Sequence, residues 1–324
     1  MEDPRQEHLR DWVRQTLQDA ELELRQVAGD ASFRRYFRVH GADRTWIAMD
    51  APPENEPLQT FLAVNAHLQK AGVHVPDIQV ENETDGFLLL EDLGDTQYLS
   101  SLDEESADSL YGDALDALLL IQTLPQGPLP PYDAKQLRLE LDRFTDWYLG
   151  RHLGWALSRE DQLMIETAWQ LLVNCALEQP CVAVHRDYHS RNLMVAEPNP
   201  GIIDHQDAMW GPVTYDLVSL LRDCYIAWPD ERVRGWAEQY RQRAIQQGIL
   251  DEGVDSERFM DWFDWMGVQR HLKAVGIFAR LCHRDGKPSF LDDVPRVLRY
   301  VQDVCAKHPP LQPLADLVAR LPEP

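Results

Sequence analysis

Asp187, Asn192 and Asp204 stand at a spacing that suits phosphoryl transfer. They lie in Val184-His185-Arg186-Asp187-Tyr188-His189-Ser190-Arg191-Asn192 and in the following Gly201-Ile202-Ile203-Asp204. One aspartate can accept the proton of an attacking hydroxyl, and an asparagine amide oxygen can hold Mg2+. A second aspartate can bridge the metal to the terminal phosphates of a nucleotide. Asp187, Asn192 and Asp204 match those three roles in chain order. A His-x-Asp with a later Asn also arises by chance in polar loops. What separates this one from coincidence is Ile-Ile-Asp twelve residues beyond the Asn, with Gly211-Pro212 after it.

Such a loop needs two strands to hold its ends. Cys181 to Val184 is a short apolar strand that delivers it. Leu193-Met194-Val195 and Ile202-Ile203 read as a hairpin, because Pro198-Asn199-Pro200-Gly201 between them is strong turn chemistry. Upstream, a helix is expected at about Arg5 to Ala20. Strands are expected at Leu22 to Ala28, Tyr36 to Val39 and Trp46 to Met49, then a helix from Leu58 to Lys70 and strands at Ile78 to Val80 and Phe87 to Leu90. From Asp103 the pattern turns helical, with apolar residues at Leu110, Ala114, Leu115, Leu118 and Ile121 and again at Leu163, Ile165, Trp169 and Leu172. This is an α+β chain with a small antiparallel sheet in residues 1–95 and a mainly helical part in 96–324. Pro125 to Pro131 reads as a rigid surface connector. No repeat or low-complexity segment interrupts it.

Composition narrows the partners. A net charge of −23 argues against nucleic acid or an anionic membrane, since both call for clustered positive charge. The charged start, Met1-Glu2-Asp3-Pro4-Arg5, and the lack of any run of about 18 apolar residues argue against secretion and membrane spanning. The five cysteines show no Cys-x-x-Cys pair and read as reduced core thiols of a cytoplasmic protein. A monomer is the expectation.

The motifs together resemble the aminoglycoside phosphotransferase-like family, small-molecule kinases with a two-lobed protein-kinase-like fold. The family pattern is His-x-Asp-x-x-x-x-Asn, Ile-Asp-x-x-x-Asp or a close variant, Gly-Pro and Tyr-Asp-Leu. This chain reads His185 to Asn192, Ile203-Asp204-His205-Gln206-Asp207, Gly211-Pro212 and Tyr215-Asp216-Leu217. The resemblance spans residues 20–300 and implies ATP as donor and Mg2+ as cofactor. Within the family, Trp46 to Pro53, Gly86 to Asp95 and Gln269-Arg270-His271-Leu272-Lys273 look most like the anomeric sugar kinases. Those act on N-acetylmuramate and N-acetylglucosamine in bacterial cell-wall recycling.

The resemblance assigns further residues. Gly29-Asp30-Ala31-Ser32 occupies the place of the kinase glycine-rich loop, where backbone N–H groups and the Ser32 hydroxyl would meet phosphates. A single glycine in a hairpin is otherwise only a turn. Glu91, in the apolar run Leu89-Leu90-Glu91-Asp92-Leu93-Gly94, is the expected adenine-edge contact. His185, Asp207 and Asp216 are expected to be structural, with Asp216 preceding a helix and bracing the catalytic loop. One departure stands out. Met49 occupies the place of the lysine that kinases present to nucleotide phosphates, and the five lysines are all elsewhere. Arg34, Arg44 or the Mg2+ ions alone could supply that charge. The plainer readings make Arg34 and Arg35 surface residues, and Glu54 and Glu56 helix N-terminal charges.

For the acceptor, Arg191, His205, Gln206 and Arg270 are candidate sugar contacts. Arg270, Lys273, Arg280 and Arg284 fall along one helical stripe about 80° wide. The plainer reading is a solvated face; turned to the cleft, the stripe could bind a carboxylate. Only six residues separate Asp204 from Gly211, too few for a protein-kinase activation segment. A kinase of another alcohol, of aminoglycoside or choline type, and a nucleotide-binding pseudokinase remain as alternatives.

Overall fold

A computed structural model of the chain describes residues 3–27 and 33–322. It opens with α1 (Pro4–Leu17), whose Asp3 cap accepts the Arg5 N–H at 3.0 Å and whose first turn holds Pro4. Three strands follow, β1 (Glu23–Gln26), β2 (Arg35–His40) and β3 (Thr45–Asp50), then α2 (Leu58–Gln69), β4 (Ile78–Asn82) and β5 (Phe87–Glu91). They form one antiparallel sheet in the order β1-β2-β3-β5-β4. The alternation of side chains along a strand sorts its core in two. Phe37, Val39, Ala48, Phe87 and Leu89 pack under Leu9 and Val13 of α1. Met49, Leu88 and Leu90 face Leu58 and Phe61 of α2.

The helical part begins with α3 (Tyr98–Ser101) and α4 (Ala107–Gln122), then α5 (Ala134–Arg143), which runs into a wider-turned helical stretch at 144–152, and α6 (Arg159–Leu177). Next, β6 (Cys181–Val184), β7 (Leu193–Met194), β8 (Gly201–Ile202) and β9 (Met209–Pro212) pair as β6 with β9 and β7 with β8. The catalytic loop therefore hangs between β6 and β7, and Asp204 follows β8. The remainder is α7 (Tyr215–Leu221), α8 (Asp230–Gln246), α9 (Ser256–Asp285), α10 (Val294–Cys305) and α11 (Gln312–Ala319). The 30-residue α9 is the central post of this part. Gly276 lets it press against the end of α5, since a Cβ there would lie 2.4 Å from the Arg143 carbonyl carbon.

Two expectations change here. The 125–131 segment is no mere surface connector: Leu129 is buried, and Pro130 O accepts the Trp210 N–H at 2.8 Å, which extends β9. The cysteines are free, but Cys181 is exposed rather than in the core. It stands at the outer end of its strand, whose burial begins with Val182.

Candidate active site

Two cavities meet where the sheet faces the helical part. The first, about 690 Å³, is lined by Val27, Tyr36, Ile47 and Leu90 from the sheet side and Met194 and Ile203 from the β7–β8 hairpin side. Apolar walls on both sides suit a flat heterocycle. Glu91 lies at its edge, but its carboxylate is engaged by His74 at 3.2 Å and by the Asp77 N–H at 3.2 Å. Arg38 grips Asp92 at 2.6 and 2.9 Å and also bonds Asp95, fixing the connection to the helical part.

The second cavity, about 570 Å³, is lined by Asp187, Gln206, Asp207, Tyr225, Arg270 and Lys273 among others. Arg191, Asn192 and Asp204 line both cavities, whereas Asp187 lines only the second. Eight basic residues surround the second cavity (Arg34, Arg143, Arg186, Arg191, Arg270, Lys273, Arg280 and Lys287) against four acidic ones (Glu56, Asp187, Asp204 and Asp207). That excess is local to a chain of net charge −23.

The loop that carries Asp187 is pinned at every turn. The buried Asp216 carboxylate accepts the N–H of His185 at 2.6 Å and of Arg186 at 2.9 Å. Burial pushes Asp216 up to about 7, while those two donors favour its ionised form. They hold Arg186 at φ +78, a left-handed conformation that costs a non-glycine residue energy. His185 Nε2 donates to Ile203 O at 3.0 Å and its Nδ1 accepts the Asp187 N–H at 3.3 Å. Burial brings His185 down to about 4, so it serves as a neutral brace. Farther along, Ser190 gives Asp223 its N–H and hydroxyl at 2.9 and 2.6 Å. Asp216 lies within the first turn of α7 rather than before it, and in the expected bracing place.

Charge is concentrated behind Asp187. Glu140, fully buried on α5, bonds Arg186 and the Tyr132 hydroxyl and has Lys273 Nζ at 3.8 Å. Lys273 donates to Tyr215 Oη at 2.9 Å and lies 4.0 Å from Asp187 Oδ1. Burial would raise the Asp187 carboxyl, but Lys273, His189, Arg186 and Arg270 outweigh it and hold the group well below the usual carboxylate range. Burial likewise opposes the Lys273 ammonium, and Glu140, Tyr215 and Asp187 keep it charged.

Asn192 Nδ2 donates to Asp187 O at 3.0 Å and lies 3.4 Å from Asp204 Oδ2. Both contacts use the amide nitrogen and bring the Asn192 side chain next to the Asp204 carboxylate. Asp204 sits at φ +64 and accepts Gln206 Nε2 at 2.6 Å. One amide oxygen and one carboxylate are the hard oxygen ligands that Mg2+ takes when phosphates complete its shell. Among the described residues no cluster of three or more His, Cys, Asp or Glu could hold a metal unaided. The residues fit a metal that arrives with a nucleotide.

Several candidates lie elsewhere than expected. Gly29 and Ser32 fall outside the described residues. His205 lines the first cavity, not the acceptor side, buried against Phe61 (centroids 4.8 Å apart) and near Asn65. Burial brings it down to about 3, as α2 closes over it. Asp207 is exposed in the second cavity, and its backbone carbonyl accepts Arg186 Nη1 at 3.3 Å. Arg34 is buried, not superficial, and pairs with Glu56 at 2.6 Å, so Glu56 is no simple helix-end charge. Arg35 grips Asp50. Arg44 lies over Trp46 at 4.6 Å. Arg191 stacks on Tyr225 at 3.7 Å where the cavities join. The stripe on α9 is not a solvated face: Arg270 and Lys273 are buried, Arg280 is half-buried and Arg284 is exposed. Arg186, Glu140 and Tyr225 were missed; each depends on a distant partner, and only the excess of charge in an apolar context hinted at them.

The chain is similar to known proteins along most of its length. The family model of the phosphotransferase enzyme family matches residues 23–253. An N-acetylmuramate/N-acetylglucosamine kinase of Pseudomonas aeruginosa is 50% identical over 302 residues, covering 93% of this chain and 89% of that one. A protein of the same name from Neisseria meningitidis is 37% identical over 324 residues, covering 98% and 96%. Among solved structures, an ADP-bound aminoglycoside phosphotransferase aligns with a TM-score of 0.60 at 14% identity, covering 93% of this chain and 98% of that one. A choline kinase from Streptococcus pneumoniae aligns at 0.64 and 11%, covering 93% and 100%. At such identities the likeness is one of fold, the two-lobed kinase-like architecture.

Proposed function

The chain belongs to the phosphotransferase enzyme family, and from that premise we propose that it transfers the γ-phosphoryl group of ATP to the anomeric hydroxyl of N-acetylmuramate or N-acetylglucosamine. The observation that carries this reading is the division of labour between the cavities. Asp187 faces only the second, while Asn192, Asp204 and Arg191 face both. A donor in the first and an acceptor hydroxyl in the second would meet at those three residues. The names of the relatives in Pseudomonas and Neisseria support the sugar.

In this reading residues 1–95 form the nucleotide lobe and 96–324 the acceptor lobe. Asp187, kept ionised by Lys273, orients the sugar hydroxyl and takes its proton as the bond to phosphorus forms. Phosphoryl transfer asks little covalent chemistry of the protein, so alignment and charge do most of the work. Asn192 and Asp204 would hold Mg2+, which when bound offsets the negative charge of the phosphates. The Arg34–Glu56 pair fills the role of the absent lysine–glutamate pair, with Met49 left as core. Arg191 and Arg270 bind the acceptor or the phosphoryl group in transit, and Gln206 orients Asp204. ATP as donor places the reaction in the cytoplasm.

The basic second cavity weighs against the alternative acceptors. Aminoglycosides and choline are cations, and eight basic residues would repel them. The test is acceptor-dependent ADP release by purified protein with MgATP, against N-acetylmuramate, N-acetylglucosamine, glucose, an aminoglycoside and choline. Turnover confined to the N-acetylated sugars supports the reading; preference for either cation refutes it.

A further inference from the structure

Arg143, at the end of α5, and Arg280, on α9, line the acceptor cavity from two directions. Neither has a carboxylate within ion-pair distance among the described residues, although the chain carries 54 acidic residues against 31 basic ones. The acid that acts on Arg280 is Asp285, and Arg284 already holds its two oxygens at 2.8 and 3.0 Å. Arg280 is half-buried, and its Nε, closed off from solvent, bonds nothing. Burial works against the charge on Arg280 and the nearby Arg143 adds repulsion. Gly276 brings α9 against the Arg143 backbone, which sets the two arginines on adjoining elements. Two like charges held side by side without a counter-ion cost free energy unless a ligand supplies the anion.

That anion belongs to the acceptor. Arg143 and Arg280 line the second cavity and not the first, whereas Arg191, Asn192 and Asp204, where the donor would end, line both. Arg280 lies beyond Lys273 and Ile277 along the lining stripe of α9, away from the transfer point at Asp187, and Arg143 approaches it from the end of α5. N-acetylmuramate differs from N-acetylglucosamine by a lactyl ether that ends in a carboxylate, set apart from the anomeric carbon. We propose that Arg143 and Arg280 form a carboxylate subsite that selects for the lactyl group of N-acetylmuramate. Guanidinium forks suit a planar carboxylate, and Ile277 and Leu281 beside them offer apolar contact to the lactyl methyl. The inference rests on the proposed sugar kinase activity and deepens it.

The experiment compares kcat/KM for N-acetylmuramate and N-acetylglucosamine in the wild type and in Arg143→Gln, Arg280→Gln, the double variant and Arg284→Gln. The expected result is a fall of about 10- to 100-fold in the muramate-to-glucosamine ratio in the first three, mostly through KM for the charged sugar. Arg280→Lys should retain part of it, and Arg284→Gln, which frees Asp285 to engage Arg280, should lower the ratio less than Arg280→Gln does. The lactyl methyl ester should be a poor substrate for the wild type and no worse for the double variant. An unchanged ratio in the double variant, with both sugars turned over, overturns the subsite alone. A wild-type protein that phosphorylates neither sugar overturns the proposed function and the subsite with it.

Discussion

Lys273→Gln separates the charge behind Asp187 from the group that meets the substrate. The ammonium lies 4.0 Å from Asp187 Oδ1 and 3.8 Å from Glu140 Oε1, and donates to Tyr215 at 2.9 Å. At an effective dielectric of about 20, two unit charges about 4 Å apart attract by about 4 kcal/mol. At about 1.4 kcal/mol per pH unit, that caps the change in Asp187 at about three pH units. Arg186 and Arg270 remain, and water entering the gap screens them, so one to two pH units is the expectation. The sign follows from the chemistry. Asp187 must be ionised to take a proton, and in the wild type it stays so far into acid. Removing Lys273 raises its pKa, so kcat/KM begins to fall at a higher pH on the acid side. N-acetylglucosamine is the substrate of choice because it does not titrate, and comparison with the wild type cancels the titration of ATP. Superimposable acid limbs in wild type and variant would refute the electrostatic role given to Lys273. The variant should also melt lower, because Glu140 stays buried with one cation fewer.

Asp187→Asn should lower kcat by about 10²- to 10⁴-fold while nucleotide affinity, measured by calorimetry with a non-hydrolysable analogue, stays nearly constant. Asp204→Ala should abolish Mg2+-dependent nucleotide binding in the same calorimeter, and unchanged MgATP affinity would contradict its assignment. Met49→Lys, which restores the residue kinases carry on that strand, should not raise activity. Met49 is fully buried among Ala51, Leu58, Phe61 and Leu88, and Glu56 is already paired with Arg34. A loss of about 2–4 kcal/mol in denaturant unfolding is expected from burying that charge.

What the sequence disclosed divides by range. The apolar runs Trp46 to Met49 and Phe87 to Leu90 marked two strands of the sheet, and the turn residues at 198–201 announced the β7–β8 hairpin, because both signals are local. The catalytic loop was legible for the same reason: strand, loop and hairpin are consecutive. Contacts between distant segments were not. The Arg34–Glu56 pair joins the start of β2 to the turn before α2, and the surface reading of Arg34 failed because nothing nearby marks that pair. His205 turned toward α2 rather than the acceptor, since Phe61 and Asn65, about 140 residues away in sequence, enclose it. The α9 stripe was seen as a line of cations, but its orientation depends on α5 and α7 closing around a helix with almost no solvated face.

Phosphorus NMR of the product made from N-acetylglucosamine and MgATP shows whether Asp187 directs an anomeric hydroxyl at the γ-phosphorus of ATP. The expected result is a new phosphate resonance coupled to the anomeric proton, formed by the wild type and strongly slowed in Asp187→Asn. A phosphate ester on another hydroxyl, or equal formation by the variant, would contradict it.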